Sequence, residues 1–213
     1  MMSVLLIADL HGQFEKMDAF LALEPEMILI SGDVTHFGPV ENTVSLLQRI
    51  DLPCFVVPGN CDPPDLLNLL EESSAVSLHG SALTLGNISL AGVGGSNPTP
   101  FNSLFELSED EIGHVLAQAM SVMDRSMHNV LITHAPPFGA LDFIGGKNVG
   151  SHSIRSHTKD FDLVCCAHIH EQRGIAELEG TKVVNPGVAS EGNCAMIHFG
   201  DRPKEIRIEL LTV

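Results

Sequence analysis

The chain has 213 residues, 44% of them hydrophobic, and a formal net charge of −16 from 11 basic and 27 acidic side chains. That length and apolar content allow one α/β domain or two small ones around a sizeable core, and they exclude a disordered chain. The acidic balance counts against broad binding to nucleic acid or anionic membranes, and no apolar run approaches the about 20 residues that a membrane span needs.

The opening apolar run is broken by Asp9 and has no basic region before it, which is not the pattern of a secretory signal. The five cysteines, Cys54, Cys61, Cys165, Cys166 and Cys194, are scattered and form no C-x-x-C pair, so reduced thiols and a cytoplasmic protein are expected.

Residues 3–8 read as a buried parallel strand that ends in Asp9, His11 and Gly12. Phe14, Met17, Phe20 and Leu21 keep helical spacing over residues 13–23, and Glu24-Pro25 closes that helix. Residues 26–30 form a second strand, stopping at Ser31-Gly32-Asp33. A helix is predicted over 39–50, with Pro39 in its first turn and Val44, Leu47 and Ile50 on one face. Residues 54–57 form a third strand that runs into Pro58-Gly59-Asn60-Cys61-Asp62, and a helix follows from Pro64 to Glu71. Such alternation implies right-handed crossovers and a parallel sheet.

The pattern then changes. Residues 82–85 and 88–92 read as a hairpin across Gly86-Asn87, the start of a second, more antiparallel sheet. Residues 94–103 are a loop, and Ser108 with Glu111 makes a capping box for a helix running to Met127. A strand over 129–132 ends at Thr133-His134, a Gly-rich loop covers 138–150, and a short helix spans 151–158. The strand over 162–166 ends at Ala167-His168-Ile169-His170, and three more strands follow at 181–184, 194–199 and 205–210. There is no repeat, low-complexity tract or linker, so residues 1–213 are expected to form one domain.

Five strands end in potential metal ligands: Asp9 with His11, Asp33, Asn60, His134, and His168 with His170. In open α/β sheets function sits beyond the carboxyl ends of the strands, so all of these can meet at one edge. Two carboxylates, an amide oxygen and four imidazoles suit two adjacent ions such as Mn²⁺, Fe²⁺, Zn²⁺ or Ni²⁺, with Mn²⁺ preferred here; an all-oxygen Mg²⁺ or Ca²⁺ site would not use so many imidazoles. Alternate residues of an extended segment point the same way, which would aim Asp9 with His11, and His168 with His170, at the ions.

Asp9-Leu10-His11, Gly32-Asp33, Gly59-Asn60-Cys61-Asp62, Thr133-His134 and Ala167-His168-Ile169-His170 together resemble the five blocks of the calcineurin-like metallophosphoesterases. The resemblance implies an α/β fold of four layers, a sandwich of two mixed sheets flanked by helices. It implies that Asp9, His11, Asp33 and His170 hold one ion, and that Asp33, Asn60, His134 and His168 hold the other. It further implies hydrolysis of a small phosphoester by a hydroxide bridging two ions, with Asp33, Asn60, Cys61 and His134 at the reacting centre.

The chain departs from the family pattern at Ala167, where the last block usually begins with Gly, and at Cys61, where the third block usually carries His. A similar Gly-Asn-Cys-Asp block occurs in a subgroup of small prokaryotic phosphodiesterases, so a phosphodiesterase is the expected activity. An interaction scaffold of the same fold, a phosphomonoesterase and a nuclease are the alternatives. Asn60, Cys61, His36 and Arg155 are the candidate substrate contacts, although Ser151 also suits a helix cap that would leave His152 and Arg155 on the surface. Asp62 suits a ligand-orienting acceptor, and Phe101, Phe105, Phe138 and Phe143 suit either a contact in a homo-oligomer or a cleft wall.

Overall fold

The computed structural model describes residues 2–70 and 73–213. In chain order the first half contains β1 (Met2–Ile7), α1 (Met17–Leu21), β2 (Met27–Ser31), α2 (Glu41–Leu47), β3 (Cys54–Val57), α3 (Leu66–Leu70), β4 (Val76–Ser77), β5 (Ala82–Leu85) and β6 (Ile88–Val93). The second half contains α4 (Glu109–Ser121), β7 (His128–Thr133), β8 (Phe143–Ile144), β9 (Lys147–Asn148), α5 (His152–His157), β10 (Leu163–Cys165), β11 (Gly174–Leu178), β12 (Thr181–Asn185), β13 (Asn193–Phe199) and β14 (Ile206–Thr212). The sequence places the end of the third helix at Glu71, which lies outside the described residues.

Among the described residues the strands form two six-stranded sheets, ordered β14-β13-β1-β2-β3-β4 and β11-β12-β10-β7-β6-β5. Both are mixed. β1, β2, β3 and β4 run parallel, as do β6, β7, β10 and β12, while β13, β14, β11 and β5 are antiparallel additions.

The layers follow from side-chain alternation along β1. Val4 and Leu6 enter the core between the sheets with Leu29, Val57, Leu90, Val130 and Leu163. Leu5 and Ile7 face the other way and pack with Phe20, Leu47 and Leu66 of the first helices. A strand buried on both faces must be apolar at every position, which is why this run carries no alternation. On the far side, Ile112 and Leu116 of α4 and Ile154 of α5 cover Leu131 and Val164. The result is helix, sheet, sheet, helix.

Several elements depart from expectation. β11 was not expected, because as an edge strand it lacks a buried run: Ile175 is 46% exposed. β4 is only two residues long and too short for a periodic signal. The Gly-rich loop contains a small ribbon, β8 with β9, turning at Gly145 and Gly146. The helix after Ser108 stops at Ser121, short of Met127, and its capping box forms as expected.

Candidate metal centre

The parallel strands bring their carboxyl ends to one edge, where the turns after β1 and β2 are stitched together. Asp9 N donates to Gly32 O at 3.0 Å, and His11 N donates to Asp33 O at 2.8 Å. The second sheet is joined to them by His134, whose Nδ1 donates to Ser31 O at 2.8 Å. This contact demands a bare backbone at Gly32, where a Cβ would lie 2.6 Å from His134 Nδ1. At Gly59 a Cβ would collide with the Asp33 carboxylate, so Gly59 is what allows the third strand end to close on the second.

Backbone strain collects here. Asp9, His11, Asp33 and His168 all adopt left-handed φ values, 55°, 47°, 49° and 70°. Non-glycine residues seldom adopt this region, and where they do the surrounding structure must hold them. It also corrects one expectation. Asp9 with His11, and His168 with His170, do not point together as alternate residues of an extended segment; they are swung round by tight left-handed turns.

Those turns assemble the side chains into two neighbouring groups. In the first, His170 Nε2 lies 3.4 Å from Asp9 Oδ1 and 3.4 Å from His11 Nε2, and His11 Nε2 lies 3.9 Å from Asp9 Oδ1. In the second, His134 Nε2 lies 2.9 Å from Asn60 Oδ1, and its ring centroid is 5.0 Å from that of His168. Asp33 stands between them: its Oδ1 is 3.5 Å from His134 Nε2 and its Oδ2 is 3.9 Å from His11 Nε2. The side chains that fit two ions therefore converge, and Asp33 faces both groups.

Three observations suit cations at this place. Asp9 is fully buried, yet neither of its carboxylate oxygens has a hydrogen-bond partner among the described residues. Buried polar atoms are nearly always paired, so an orphaned carboxylate needs a partner of another kind. His11 Nδ1 is orphaned in the same way. Third, His134 Nδ1 can meet a carbonyl only as a donor, so the lone pair of neutral Nε2 faces the carbonyl oxygen of Asn60, two acceptors that only a proton or a cation can reconcile.

The electrostatics show how strongly the carboxylates draw positive charge: burial would lower His134, but Asp33, Asp9 and the Ser31 carbonyl prevail and raise it, favouring a proton at that ring. Burial pushes the Asp9 carboxyl up, but His170, His134 and His11 outweigh it and hold it below its ordinary value. Burial and His134 push His168 down to about 4, which keeps its imidazole neutral, the form that binds metals. Burial also lowers His11 against the pull of Asp33 and Asp9, whereas the Asp9 carboxylate raises His170. Burial lifts Asp62 to about 6, with Asp33 adding to the effect. Its carboxylate accepts from Thr35 N at 2.7 Å, Gly59 N at 2.8 Å and Val34 N at 3.2 Å, stapling the turn after β2 to the turn after β3.

Asn60 is oriented from a segment that carried no signal in the sequence. Its Nδ2 donates to Ser103 Oγ at 2.9 Å. Ser103 Oγ gives its own proton to Glu106 Oε1 at 2.5 Å, and Thr99 Oγ1 and the Thr99 and Ser103 backbone N–H groups donate to the same carboxylate. With its proton committed, Ser103 can only accept from Asn60, which turns Oδ1 toward His134. Ser103 and Glu106 are separated from Asn60 by more than forty residues, so no local motif reveals the connection.

The remaining candidates divide. Cys61 sits beside the centre: its N donates to Asp33 Oδ1 at 2.8 Å, and its thiol falls in one cluster with His11 and His36. Burial, then the Asp33 charge, pushes the Cys61 thiol far up, so it stands as a neutral S–H. His36 is exposed and meets His11 edge-on at 5.4 Å. Arg155 is drawn elsewhere, its guanidinium engaged by Phe138 O at 3.0 Å and Glu179 at 2.7 Å, while Ser151 caps its helix by accepting from Ile154 N. Phe105 is nearly buried, and Phe101 and Phe138 line a cleft that reaches His168 and His170.

The model of the calcineurin-like phosphoesterase family matches residues 2–172. An uncharacterized protein of Methanocaldococcus jannaschii, MJ1162, is 33% identical over 202 residues, 89% of each chain. Among solved structures, TT1561 of Thermus thermophilus superposes with a TM-score of 0.74 at 19% identity, covering 98% of both chains. A structure described as a dimetal phosphatase from Danio rerio superposes with a TM-score of 0.64 at 10% identity, covering 99% of this chain and 98% of that one. At such identities the two structural matches speak for the fold.

Proposed function

Because this chain belongs to the calcineurin-like phosphoesterase family, we propose that it is a phosphoesterase with two divalent ions at the edge of its sheets, and that it prefers phosphodiesters. The family is one of metal-dependent hydrolases of phosphoesters. Asp9, His11, Asp33 and His170 would hold one ion, and Asp33, Asn60, His134 and His168 the other. When bound, transition-metal ions such as Mn²⁺ supply Lewis acidity to the phosphoryl oxygens and a water acidic enough to attack near neutral pH. The observation that carries this reading is the fully buried Asp9 carboxylate, whose Oδ1 meets only the His170 and His11 rings, at 3.4 and 3.9 Å, and whose Oδ2 has no partner among the described residues.

The chain's own groups then have defined tasks. Ser31 O fixes the tautomer of His134, leaving Nε2 as its ligand atom. Ser103 fixes the Asn60 amide with its oxygen inward. His36, exposed beside His11, borders the place where a phosphoryl group would sit. Cys61 stands where the family pattern carries an imidazole, so a ready proton donor for the leaving oxygen is missing. An alkoxide leaves poorly without a proton, whereas a low-pKa leaving group needs less help. A preference for activated esters over alkyl esters follows, and the resemblance of the Gly-Asn-Cys-Asp block to that of small prokaryotic phosphodiesterases supports the preference for diesters.

Metal-stripped protein, reconstituted with Mn²⁺, Ni²⁺, Zn²⁺ or Mg²⁺ and assayed on matched phosphodiesters and phosphomonoesters, tests the reading. Hydrolysis with one of the transition metals, fastest on the diester, supports it. No bound ion and no hydrolysis with any metal would sink it. Comparing the diester-to-monoester ratio in wild type and Cys61→His isolates the thiol: an unchanged ratio removes Cys61 from the argument.

A further inference from the structure

Beside the candidate centre lies a cleft of about 730 Å³ whose lining includes His168 and His170. The volume falls in the range of small-molecule sites, roughly 300–1,000 Å³. Apart from Glu109 of α4 and the neighbours of the two histidines, its other walls come from two segments that supply none of the candidate ligands, residues 97–101 and 138–152. Phe101, 83% exposed, belongs to the first, and Ile144, 38% exposed, to the second. Phe138 stacks on the His152 ring with centroids 4.1 Å apart and an interplanar angle of 22°, which makes a flat wall two rings thick.

These walls are built rather than loose. Asn97 Nδ2 donates to Val149 O at 3.0 Å and ties one segment to the other. Within the second segment the buried Asp142 carboxylate accepts from Gly139 N at 3.0 Å and Gly150 N at 2.9 Å, closing the loop on itself. The cleft is poor in positive charge. Lys147 faces it along with Glu109 and Glu171, and the Glu109 carboxylate is taken up by Ser151 Oγ, His152 N and Ser153 N. A second phosphate or an acidic chain would find little to neutralise it here, whereas an uncharged ring would find aromatic and aliphatic faces.

We propose that this cleft receives the organic group esterified to phosphorus, and that this group is an uncharged aromatic ring system. The inference rests on the phosphoester reading above and adds the substrate class to it. Exposed apolar side chains beside a polar centre then have a function: they hold the ring while the phosphoryl group meets the metal-binding edge.

Calorimetric binding to Mn²⁺-loaded protein tests the idea with two ligands that share a phosphoryl head, phenylphosphonate and methylphosphonate. The expected result is binding of phenylphosphonate about tenfold tighter than methylphosphonate, the scale of one ring meeting apolar walls. The phenyl-to-methyl ratio should fall toward one in Phe101→Ala and in Ile144→Ser. Both positions are exposed, so both variants should fold. Equal affinities in wild type, or a ratio unchanged in both variants, overturns the inference and leaves the phosphoester reading standing. If neither phosphonate binds to protein shown to carry its metal, the phosphoester reading fails and takes the inference with it.

Discussion

The two halves of the candidate centre are built in opposite ways. The half made of Asn60, His134 and His168 is prearranged by the protein: Ser31 orients His134, and Ser103, itself held by Glu106, orients Asn60. The half made of Asp9, His11 and His170 has no such support. Asp9 Oδ2 and His11 Nδ1 have no hydrogen-bond partner among the described residues, and Asp9 Oδ1 meets only His11 and the His170 side chain, itself 43% exposed. The first half can satisfy itself with a single proton between His134 and Asn60, but no proton placement pairs both oxygens of Asp9. On the two-ion reading, one site would be shaped by hydrogen bonds before any ion arrives, and the other completed only by its ion. Ligands oriented by fixed neighbours keep their geometry and affinity, so two ions held this way would differ in how they are lost.

Substitutions can break or sharpen that contrast. The largest effect is expected from Asp9→Asn, which removes the charge that defines the unsupported half. Activity should fall on the order of a thousandfold, since a catalytic ion supplies several kcal/mol of charge stabilisation. Metal analysis should show loss of one ion per chain, with the other retained; loss of both would mean the halves are not separable. Gly59→Ala comes next. A Cβ there would run into the Asp33 carboxylate, which faces both halves, so both ions should be weakened together. The accompanying loss of stability, about 1–3 kcal/mol as for other overpacked sites, is readable by denaturant unfolding. Ser103→Ala should be smaller and one-sided. It frees the Asn60 amide and should weaken only the prearranged half, by roughly 10–100-fold in metal affinity. Ser103→Thr, which keeps the hydroxyl, should restore it. Equal weakening of both ions by Ser103→Ala would end the contrast.

Much of this molecule is legible in the sequence because burial on two faces leaves a strong mark. β1, β2 and β7 each contain an unbroken apolar run, residues 4–7, 27–30 and 130–132, and each runs on to a candidate ligand a few residues later. β11 leaves no such mark, since its side chains alternate between half-burial and exposure at a sheet edge. At the centre, residue types disclose the chemistry while the turns stay hidden: nothing in Asp9-Leu10-His11 announces two left-handed residues. Arg155, read as a possible substrate contact, sits one helical turn from the cleft-lining His152 and turns instead to Glu179, a partner set by tertiary packing. The network of Thr99, Ser103 and Glu106 was invisible for a similar reason, because short polar residues in a loop carry no period and their target lies on another strand end.

That same network gives the smallest effect and the one most easily followed with pH. Burial alone would raise the Glu106 carboxyl, but the hydrogen bonds from Ser103 and Thr99 prevail and bring it to about 2, below its ordinary value of 4.5. A folded-state pKa that lies below the unfolded one adds stability above the unfolded value, and that contribution is lost as pH falls toward the folded one. The loss should therefore run from about pH 4.5 down to about pH 2. Because the carboxylate stands near the surface, solvent screening should hold its contribution to about 1 kcal/mol. Thermal unfolding of wild type and Glu106→Gln should differ most at pH 5 to 7, narrow below about pH 4.5 and converge as the pH approaches 2. A gap that stays constant across that range would show that the charge of Glu106 contributes nothing and that only the shape of the loop holds Ser103 against Asn60. The prearrangement of that half would then be steric, and it should survive acid unchanged.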